Sequence, residues 1–234
     1  MAKEVGLSRS IKLTWLNKAA EYVEKYDTEK EYKEAINEYL SFEIKSPTVL
    51  RKTREILAHV WDYNEIRKEG IHNQALKLIK EYPDYALQIH WGLLLIAYPV
   101  FVDVCSLISK LSVFQEDITL KQLRTKLYDE WGERATLLHS LAKIIATMKN
   151  LDVIEAEKPG VYKIKKHSTT NRKITNYMLL VSIGVNDDAY VRFQNLKEIK
   201  CLFPFDVTVS KEQIMEDDRF AISNIGGELT VGLK

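Results

Sequence analysis

Apolar residues recur at intervals of three and four through the first half of the chain, which is the spacing of one buried face of an α-helix. The spacing predicts six helices between residues 8 and 112. Ser8 or Ser10 is expected to cap the first helix. Ser46 followed by Pro47 starts the third helix, and Gly70 is expected to end it. Short loops between these helices predict a helical bundle over residues 1–114.

The pattern changes after residue 116. A short β-prone piece leads into a helix over 121–131, and Gly132 permits a turn into a second helix over 134–150. Two segments of alternating polarity follow, separated by a Pro-Gly tip, as in a β-hairpin. Helix, short strand, helix, turn, helix and hairpin is the order of a winged helix-turn-helix, which we predict over residues 115–167.

The remaining residues, 168–234, are expected to form a small β-containing C-terminal region. Residues 167–173 are polar and are interpreted as a linker, and the apolar run 177–183 fits either a helix or a strand. Gly226 and Gly227 lie between two β-prone runs and indicate a hairpin. The fold class predicted for the chain is therefore mainly α with a smaller β part.

Composition places the chain among ordinary soluble globular proteins. Of its 234 residues, 46% are hydrophobic and 29% are charged. Cys105 and Cys201 are too few for a disulfide framework, so a reducing cytoplasm is the expected location. The most apolar run, residues 91–102, is interrupted by Pro99 and falls short of the roughly 20 residues that span a membrane. No membrane association is expected.

Motifs for catalysis or for metal binding are missing from the sequence. There is no GxxxxGK[ST] phosphate loop, no GxGxxG between a strand and a helix, and no HExxH. His59 and His90 are interpreted as histidines of the bundle core, and Cys105 as a small hydrophobic residue. The adjacent acids at 187–188 and 217–218 are interpreted as turn residues. We therefore expect no enzymatic activity, no catalytic residue, no metal and no cofactor.

Charge is distributed unevenly along the chain, although the net charge is only +1. Residues 119–173 carry twelve Lys or Arg against six Asp or Glu, a net charge of +6, so the rest of the chain carries −5. Basic residues on one face release counterions from phosphates and can donate hydrogen bonds to guanine. The predicted partner is double-stranded DNA, bound through one oriented face.

The predicted DNA-binding residues lie on the second helix and on the hairpin of this module. On the helix, an apolar stripe of residues 137, 138, 141, 144, 145 and 148 is expected to face the core, which leaves short polar and basic residues on the other side. The helix N-terminus usually enters the major groove, which favours Arg134, Thr136 and Ser140 as base-facing residues. The full set is Arg134, Thr136, His139, Ser140, Lys143 and Thr147 on the helix, with Lys158, Lys163, Lys165 and Lys166 on the hairpin.

Two alternatives remain open. Winged helices also serve as protein-interaction modules, so the chain could be a scaffold, or a transcriptional regulator that uses the same winged helix. A second basic segment, residues 51–54, is interpreted as a solvated helix face, with a second binding site as the alternative. The DNA sequence preference and the oligomeric state are not determined by the sequence.

Three segments of the chain together resemble a known family. They are SPTVLRKTREIL, LLLIAYPVFVDVCSLI and ITLKQLRTKLYDEWGERATLLHSLAKIIATMKNLDVIEAEKPGVYKI, within residues 8–166. This layout resembles the BrxA family, the small DNA-binding subunit of BREX phage-defence systems of bacteria and archaea. The resemblance implies an N-terminal bundle similar to that of the antitermination factor NusB and a winged helix that binds double-stranded DNA. It also implies a non-enzymatic role beside other defence-system proteins.

Overall fold

The described part of the chain, residues 6–186 and 189–234 of a computed structural model, folds into a mainly α structure with a smaller β part. This is the fold class that the sequence predicts. Six α-helices occupy the first half, where helical spacing predicts them. They are α1 (Leu13–Lys25), α2 (Glu29–Ser41), α3 (Pro47–Val60), α4 (Ile71–Glu81), α5 (Ala86–Ala97) and α6 (Pro99–Ser112).

The start of α1 differs from the prediction. Neither Ser8 nor Ser10 caps it, because residues 6–11 form an irregular stretch. This stretch packs against the helix that covers residues 135–150. We call this stretch the N-terminal segment. Its apolar side chains Leu7 and Ile11 are buried as deeply as those of the helices. The helical spacing that the sequence shows from residue 11 onward therefore includes a residue that is not helical.

The end of α3 also differs from the prediction. The helix ends at Val60, and Gly70 instead lies just before α4. The carbonyl oxygen of Trp61, directly after the helix, accepts a hydrogen bond of 3.1 Å from the hydroxyl of the buried Tyr32. A helix end needs such partners for its last carbonyl groups. A tertiary hydrogen bond therefore satisfies the carbonyl group at the end of this helix. The position of Gly70 in the sequence does not indicate where the helix ends.

Helix α5 lies in the centre of the bundle, and all of its residues from 88 to 95 are buried. The Trp91 ring packs edge-on against Phe101, Phe203 and Phe205, with 4.8, 6.0 and 5.4 Å between ring centroids. Its indole nitrogen donates a hydrogen bond of 3.2 Å to the carbonyl oxygen of Cys201. The core of the bundle thus includes side chains from the last third of the chain.

No single helix among the described residues is long and apolar enough to cross a membrane. The segments Pro83–Ala97 and Pro99–Ser112 meet that criterion only together, by length and composition, and they are bent by 117° at their junction. In this structure most of their apolar side chains are buried against protein.

The elements predicted for residues 115–167 occur in the predicted order. They are β1 (Ile118–Thr119), α7 (Leu120–Trp131), α8 (Ala135–Asn150), β2 (Ile154–Lys158) and β3 (Val161–Ile164). Thr119 and Gln122 form a capping box at the start of α7, and Gly132 ends that helix with a φ of 75°, which favours glycine. The three strands form an antiparallel sheet in the order β1-β3-β2. We call residues 115–167 the βααββ module.

The C-terminal region contains more helix than the sequence indicates. Residues predicted as a linker form a strand and the start of a helix, and the apolar run 177–183 is helical. The predicted hairpin around Gly226 and Gly227 is confirmed. The elements are β4 (His167–Thr169), α9 (Arg172–Asn186), β5 (Val191–Arg192), β6 (Phe205–Val207), α10 (Lys211–Met215), β7 (Phe220–Ile225) and β8 (Glu228–Leu233).

Helix α9 is part of the same core as the bundle. Ten consecutive residues, 174–183, are buried, so the run shows no periodicity that would have identified it as a helix. The Tyr177 hydroxyl donates a hydrogen bond of 2.9 Å to the carbonyl oxygen of Ile89 on α5. Opposite the ring, Gly92 has no side chain, and a Cβ there would lie 2.6 Å from the tyrosine oxygen. The two helices therefore approach closely because position 92 is glycine.

Candidate nucleic-acid interface

The apolar stripe predicted for α8 is largely confirmed. Five of its six members are buried, whereas Leu138 is 36% exposed. The helix contains no acidic residue over its 16 positions. Its exposed positions are Ala135, Thr136, Leu138, His139, Ala142, Lys149 and Asn150. The side of α8 that is open to solvent is therefore narrower and less polar than the sequence indicates.

Two of the predicted DNA-binding residues of α8 are buried against the N-terminal segment. The Ser140 hydroxyl donates a hydrogen bond of 3.2 Å to the carbonyl oxygen of Leu7. The Thr147 hydroxyl accepts one of 3.1 Å from the amide of Ile11. Ser140 is 1% exposed and Thr147 is fully buried, so in this structure neither side chain reaches a ligand. Their polar groups satisfy the backbone of an irregular segment, as buried backbone groups require.

Arg134, Thr136 and His139 lie at the N-terminal end of α8 and line a cavity between this helix and the bundle. His139 is exposed, and its Nε2 lies 3.1 Å from the carbonyl oxygen of Ser8. The Arg134 guanidinium lies 5.8 Å from the ring centroid of Trp131. These three predicted residues are therefore close together, but they face the bundle as well as solvent.

The hairpin lysines are engaged in ion pairs, with Lys158 as the exception within the described residues. Lys163 lies 2.7 Å from Glu157, and the same distance separates Lys165 from Asp152. Hydrogen bonding to these carboxylates raises the pKa of both lysines. Exposed pairs of this kind contribute little to stability, so phosphate groups can compete for the lysines.

The other two lysines of the hairpin differ from each other. Lys166 lies 4.0 Å from Asp206. Lys158 is exposed at the hairpin tip and has no carboxylate within ion-pair distance in the described chain. Of the four predicted hairpin residues, Lys158 is therefore the most accessible to an anionic ligand.

Helix α7 presents basic residues that the sequence analysis did not include among the binding residues. Lys121, Arg124 and Lys126 are all exposed on its surface. The first helix of a helix-turn-helix pair crosses the DNA backbone, so basic residues there contact phosphates. All three lie within the positively charged segment 119–173, and that charge was the signal that could have identified them.

The concentration of positive charge depends on where the module ends. Arg172 and Lys173 belong to α9 and pair with Glu216 and Glu81, at 2.8 Å each. Residues 115–167 alone contain ten Lys or Arg and eight Asp or Glu, a net charge of +2. The acids lie just before β1, at and directly after the end of α7, and on or just before β2, whereas α8 has none. The local arrangement of charge is thus more informative than the net charge of the module.

His90 on α5 is fully buried, as the sequence analysis expected. Trp61 donates a hydrogen bond of 3.1 Å to its Nδ1, so its Nε2 carries the proton that is donated to Asn17 Oδ1 at 2.7 Å. Burial lowers the pKa of His90 to about 3, which keeps the ring neutral at physiological pH. His59 differs from the expectation because it is exposed and lines the cavity beside α8.

Burial raises the pKa of the Cys105 thiol well above its ordinary value, which disfavours the reactive thiolate. Across residues 6–186 and 189–234, no group of three or more His, Cys, Asp or Glu side chains is arranged to hold a metal ion. The predicted turn at Asp187 and Asp188 lies outside the described residues.

Comparison with known protein families, with curated proteins and with solved structures finds no match to this chain. The resemblance to the BrxA family therefore stays a prediction, and the function is argued from the structure.

Proposed function

We propose that the βααββ module is a winged helix-turn-helix and that the protein binds double-stranded DNA through it. The observation that carries the proposal is the acid-free helix α8, in the position of the recognition helix. A carboxylate on this helix would be repelled by phosphates, and none is present. The antiparallel strand order β1-β3-β2, with α7 and α8 between β1 and β2, supports the assignment.

The proposed contacts are chiefly electrostatic. The module residues that we assign to backbone phosphates are the half-buried Lys143 of α8, Lys158 at the hairpin tip, and the exposed Lys121, Arg124 and Lys126 of α7. Ser140 and Thr147 are left out because they bond the N-terminal segment. Thr136 is the exposed polar residue of the first turn of α8 and the best-placed one for a base edge. With so few groups available for base readout, the protein is expected to discriminate little between DNA sequences.

We further propose a non-enzymatic accessory role, in the cytoplasm, within a phage-defence system of the BREX type. Two observations support it: the sequence lacks catalytic motifs, and three of its segments resemble BrxA proteins. Other proteins of the system are then the expected protein partners. Cloning of the neighbouring genes and co-purification of their products with this chain tests this part of the proposal.

Duplex binding is tested by fluorescence anisotropy of a labelled duplex, titrated at several salt concentrations with the full chain. The double variant K143E/K158E is expected to bind more weakly than the wild type. It should also show a salt slope that is smaller by about two, because each phosphate contact contributes roughly 0.9 to the slope of log K against log salt. Lys163 is not used, because its reversal would place two carboxylates side by side on the hairpin.

The matched control is K77E/K197E, which makes the same change in net charge at two exposed lysines outside the module. It should retain wild-type affinity. Absence of duplex binding by the wild type at low salt contradicts the proposal, and so does equal weakening in both double variants.

The alternative function, a protein-interaction scaffold, is favoured by the exposed face of α8. Leu138, at 36% exposure, is flanked by Ala135 and Ala142, which makes a small apolar surface beside the basic residues. If this surface binds a protein, L138D abolishes co-purification of the partner and leaves duplex affinity unchanged. If it lies against DNA, the same variant weakens duplex binding by charge repulsion.

A further inference from the structure

A large open cavity separates the start of α8 from the helical bundle. Its volume is about 1270 Å³, which exceeds the roughly 300–1,000 Å³ that is usual for small-molecule sites. One wall is formed by α3, the other by the first turn of α8, and the N-terminal segment lies between them. We call it the basic cleft and define it by its charged lining residues and its two histidines. These are Arg9, Arg51, Lys52, Glu55, His59, Arg134 and His139.

The lining residues from the bundle add positive charge that the sequence analysis assigned to a solvated helix face. Neither Arg51 nor Lys52 has a carboxylate within ion-pair distance among the described residues. Arg51 is exposed and Lys52 is half-buried, so both side chains are accessible to a ligand in the cleft. Two cations on one wall of a cleft create a positive potential, which raises the local concentration of anions.

The acid of the described lining is already neutralised. Glu55 lies 2.6 Å from Arg54 and 3.7 Å from Lys33. Partial burial raises its pKa, but hydrogen bonding to Arg54 and the charges of both cations lower it further, so the carboxylate stays ionised and paired. Glu55 therefore does not offset the charge of Arg51 and Lys52.

The opposite wall also favours an anion. Ala135 and Thr136, the first residues of α8, line the cleft, and the amides of a first helical turn have no partner within the helix. The Arg9 Nε is buried and has no hydrogen-bond partner among the described residues, while its Nη1 donates to the carbonyl oxygen of Ser8 at 2.6 Å. The imidazole ring of His139 lies beside the same carbonyl group.

We propose that the basic cleft is a binding site for a chain of linked phosphate groups, held between α3 and the start of α8. The backbone of a nucleic acid is the ligand that the size and openness of the cleft favour. This inference rests in part on the proposed function, which it deepens. The bundle contributes phosphate contacts of its own, so the bound strand bridges two regions that are far apart in sequence.

The test compares R51E/K52E with K77E/K197E in the full chain. Both double variants change the net charge equally, but only the first alters the cleft. For R51E/K52E we expect about tenfold weaker binding of a labelled duplex and a salt slope smaller by about two, since each lost phosphate contact removes roughly one unit of slope. For K77E/K197E we expect wild-type behaviour. Circular dichroism of both variants confirms that they are folded.

A second measurement separates the cleft from the proposed function. Isothermal titration calorimetry with inorganic tripolyphosphate is expected to show binding to the wild type and none to R51E/K52E. If the wild type binds no duplex but shows this tripolyphosphate pattern, the proposed function is wrong and the cleft is a site for free phosphate chains.

Three results overturn the inference. In the first, R51E/K52E binds the duplex and tripolyphosphate like the wild type. In the second, the duplex affinity of R51E/K52E falls no more than that of K77E/K197E, and in the third the wild type binds neither ligand. The first of these, combined with loss of duplex binding in K143E/K158E, leaves the proposed function standing without the cleft.

Discussion

Helices α5 and α8 both carry polar side chains into the protein interior, but their surroundings differ. Around α5, large rings fill the space, and His90 is held between Trp61 and Asn17 without contact to solvent. Along α8, Ser140 and Thr147 bond the backbone of the N-terminal segment, whose residues 6–9 line an open cleft. The contacts of His90 are part of the hydrophobic core, whereas those of Ser140 and Thr147 attach the N-terminal segment to α8.

This difference determines what each helix can do. Polar groups deep in the bundle serve stability, because burial disfavours any change in their charge or partners. On α8, buried and exposed polar side chains lie within one helix turn: Ser140 bonds the N-terminal segment, whereas the neighbouring His139 is exposed. The same short polar residue types therefore have opposite roles at neighbouring positions, and only the exposed ones are available to a ligand.

The largest expected effect is loss of the α5 core contact. Trp91→Ala removes a fully buried ring that packs on three phenylalanines, and such a change costs about 3–5 kcal/mol of unfolding free energy. Urea denaturation followed by circular dichroism measures it. Phe114→Ala is the matched control, because that ring is 87% exposed and its loss should be nearly neutral. A similar loss of unfolding free energy in both variants would contradict the assignment of Trp91 to the core and Phe114 to the surface.

The next effect is a pH dependence that comes from His90. Because its folded-state pKa is about 3, the unfolded chain binds this proton first, and stability falls as the pH drops below 6.5. The fall is about 1.4 kcal/mol per pH unit, or roughly 3 kcal/mol at pH 4.5. His90→Gln should remove most of this slope between pH 6.5 and 5, and the rest comes from His72, whose pKa burial also lowers. His59→Gln should keep the slope because His59 is exposed.

The pH window is important in this measurement. The paired carboxylates, such as Glu43 and Glu55, have lowered pKa values and lose their contribution only at pH values below about 4.5. An unchanged slope between pH 6.5 and 5 in His90→Gln would show that His90 is not the group that titrates.

The smallest effect concerns the contact between α8 and the N-terminal segment. Thr147→Val keeps the shape of the side chain but leaves the Ile11 amide without its acceptor, at a cost of about 1–3 kcal/mol. Duplex affinity should not change, because Thr147 is buried. Thr136→Ala should behave in the opposite way, with unchanged stability and weaker duplex binding. If the folded Thr147→Val variant loses duplex affinity, Thr147 belongs to the DNA-binding surface after all.

The helices of the bundle and the βααββ module could be predicted because their signals are local. Helical spacing identified the buried stripe of α8, and the Pro-Gly tip at 159–160 identified the hairpin of the module. Helix α9 could not be recognised in the same way. It is buried on all sides, so it shows no alternation between apolar and polar positions from which a period could be read.

The candidate site could be predicted only in part. Arg134, Thr136 and His139 were named from the sequence and line the basic cleft, but Arg51 and Lys52 were not recognised as their neighbours. The reason is separation along the chain, since nothing in local sequence indicates that α3 faces the start of α8. Burial of Ser140 was missed for the same reason.

The sequence by itself determined the fold class, most of the helices, and the acid-free character of α8, because each depends on residues within a few turns of one another. The tertiary structure alone decided which polar residues of α8 are open and which charges share a cleft. It also decided how positive the module is, because Arg172 and Lys173 belong to α9 and pair with Glu216, directly after α10, and with Glu81 of α4. Burial and electrostatic neighbours depend on distance in space, which the order of residues along the chain does not specify.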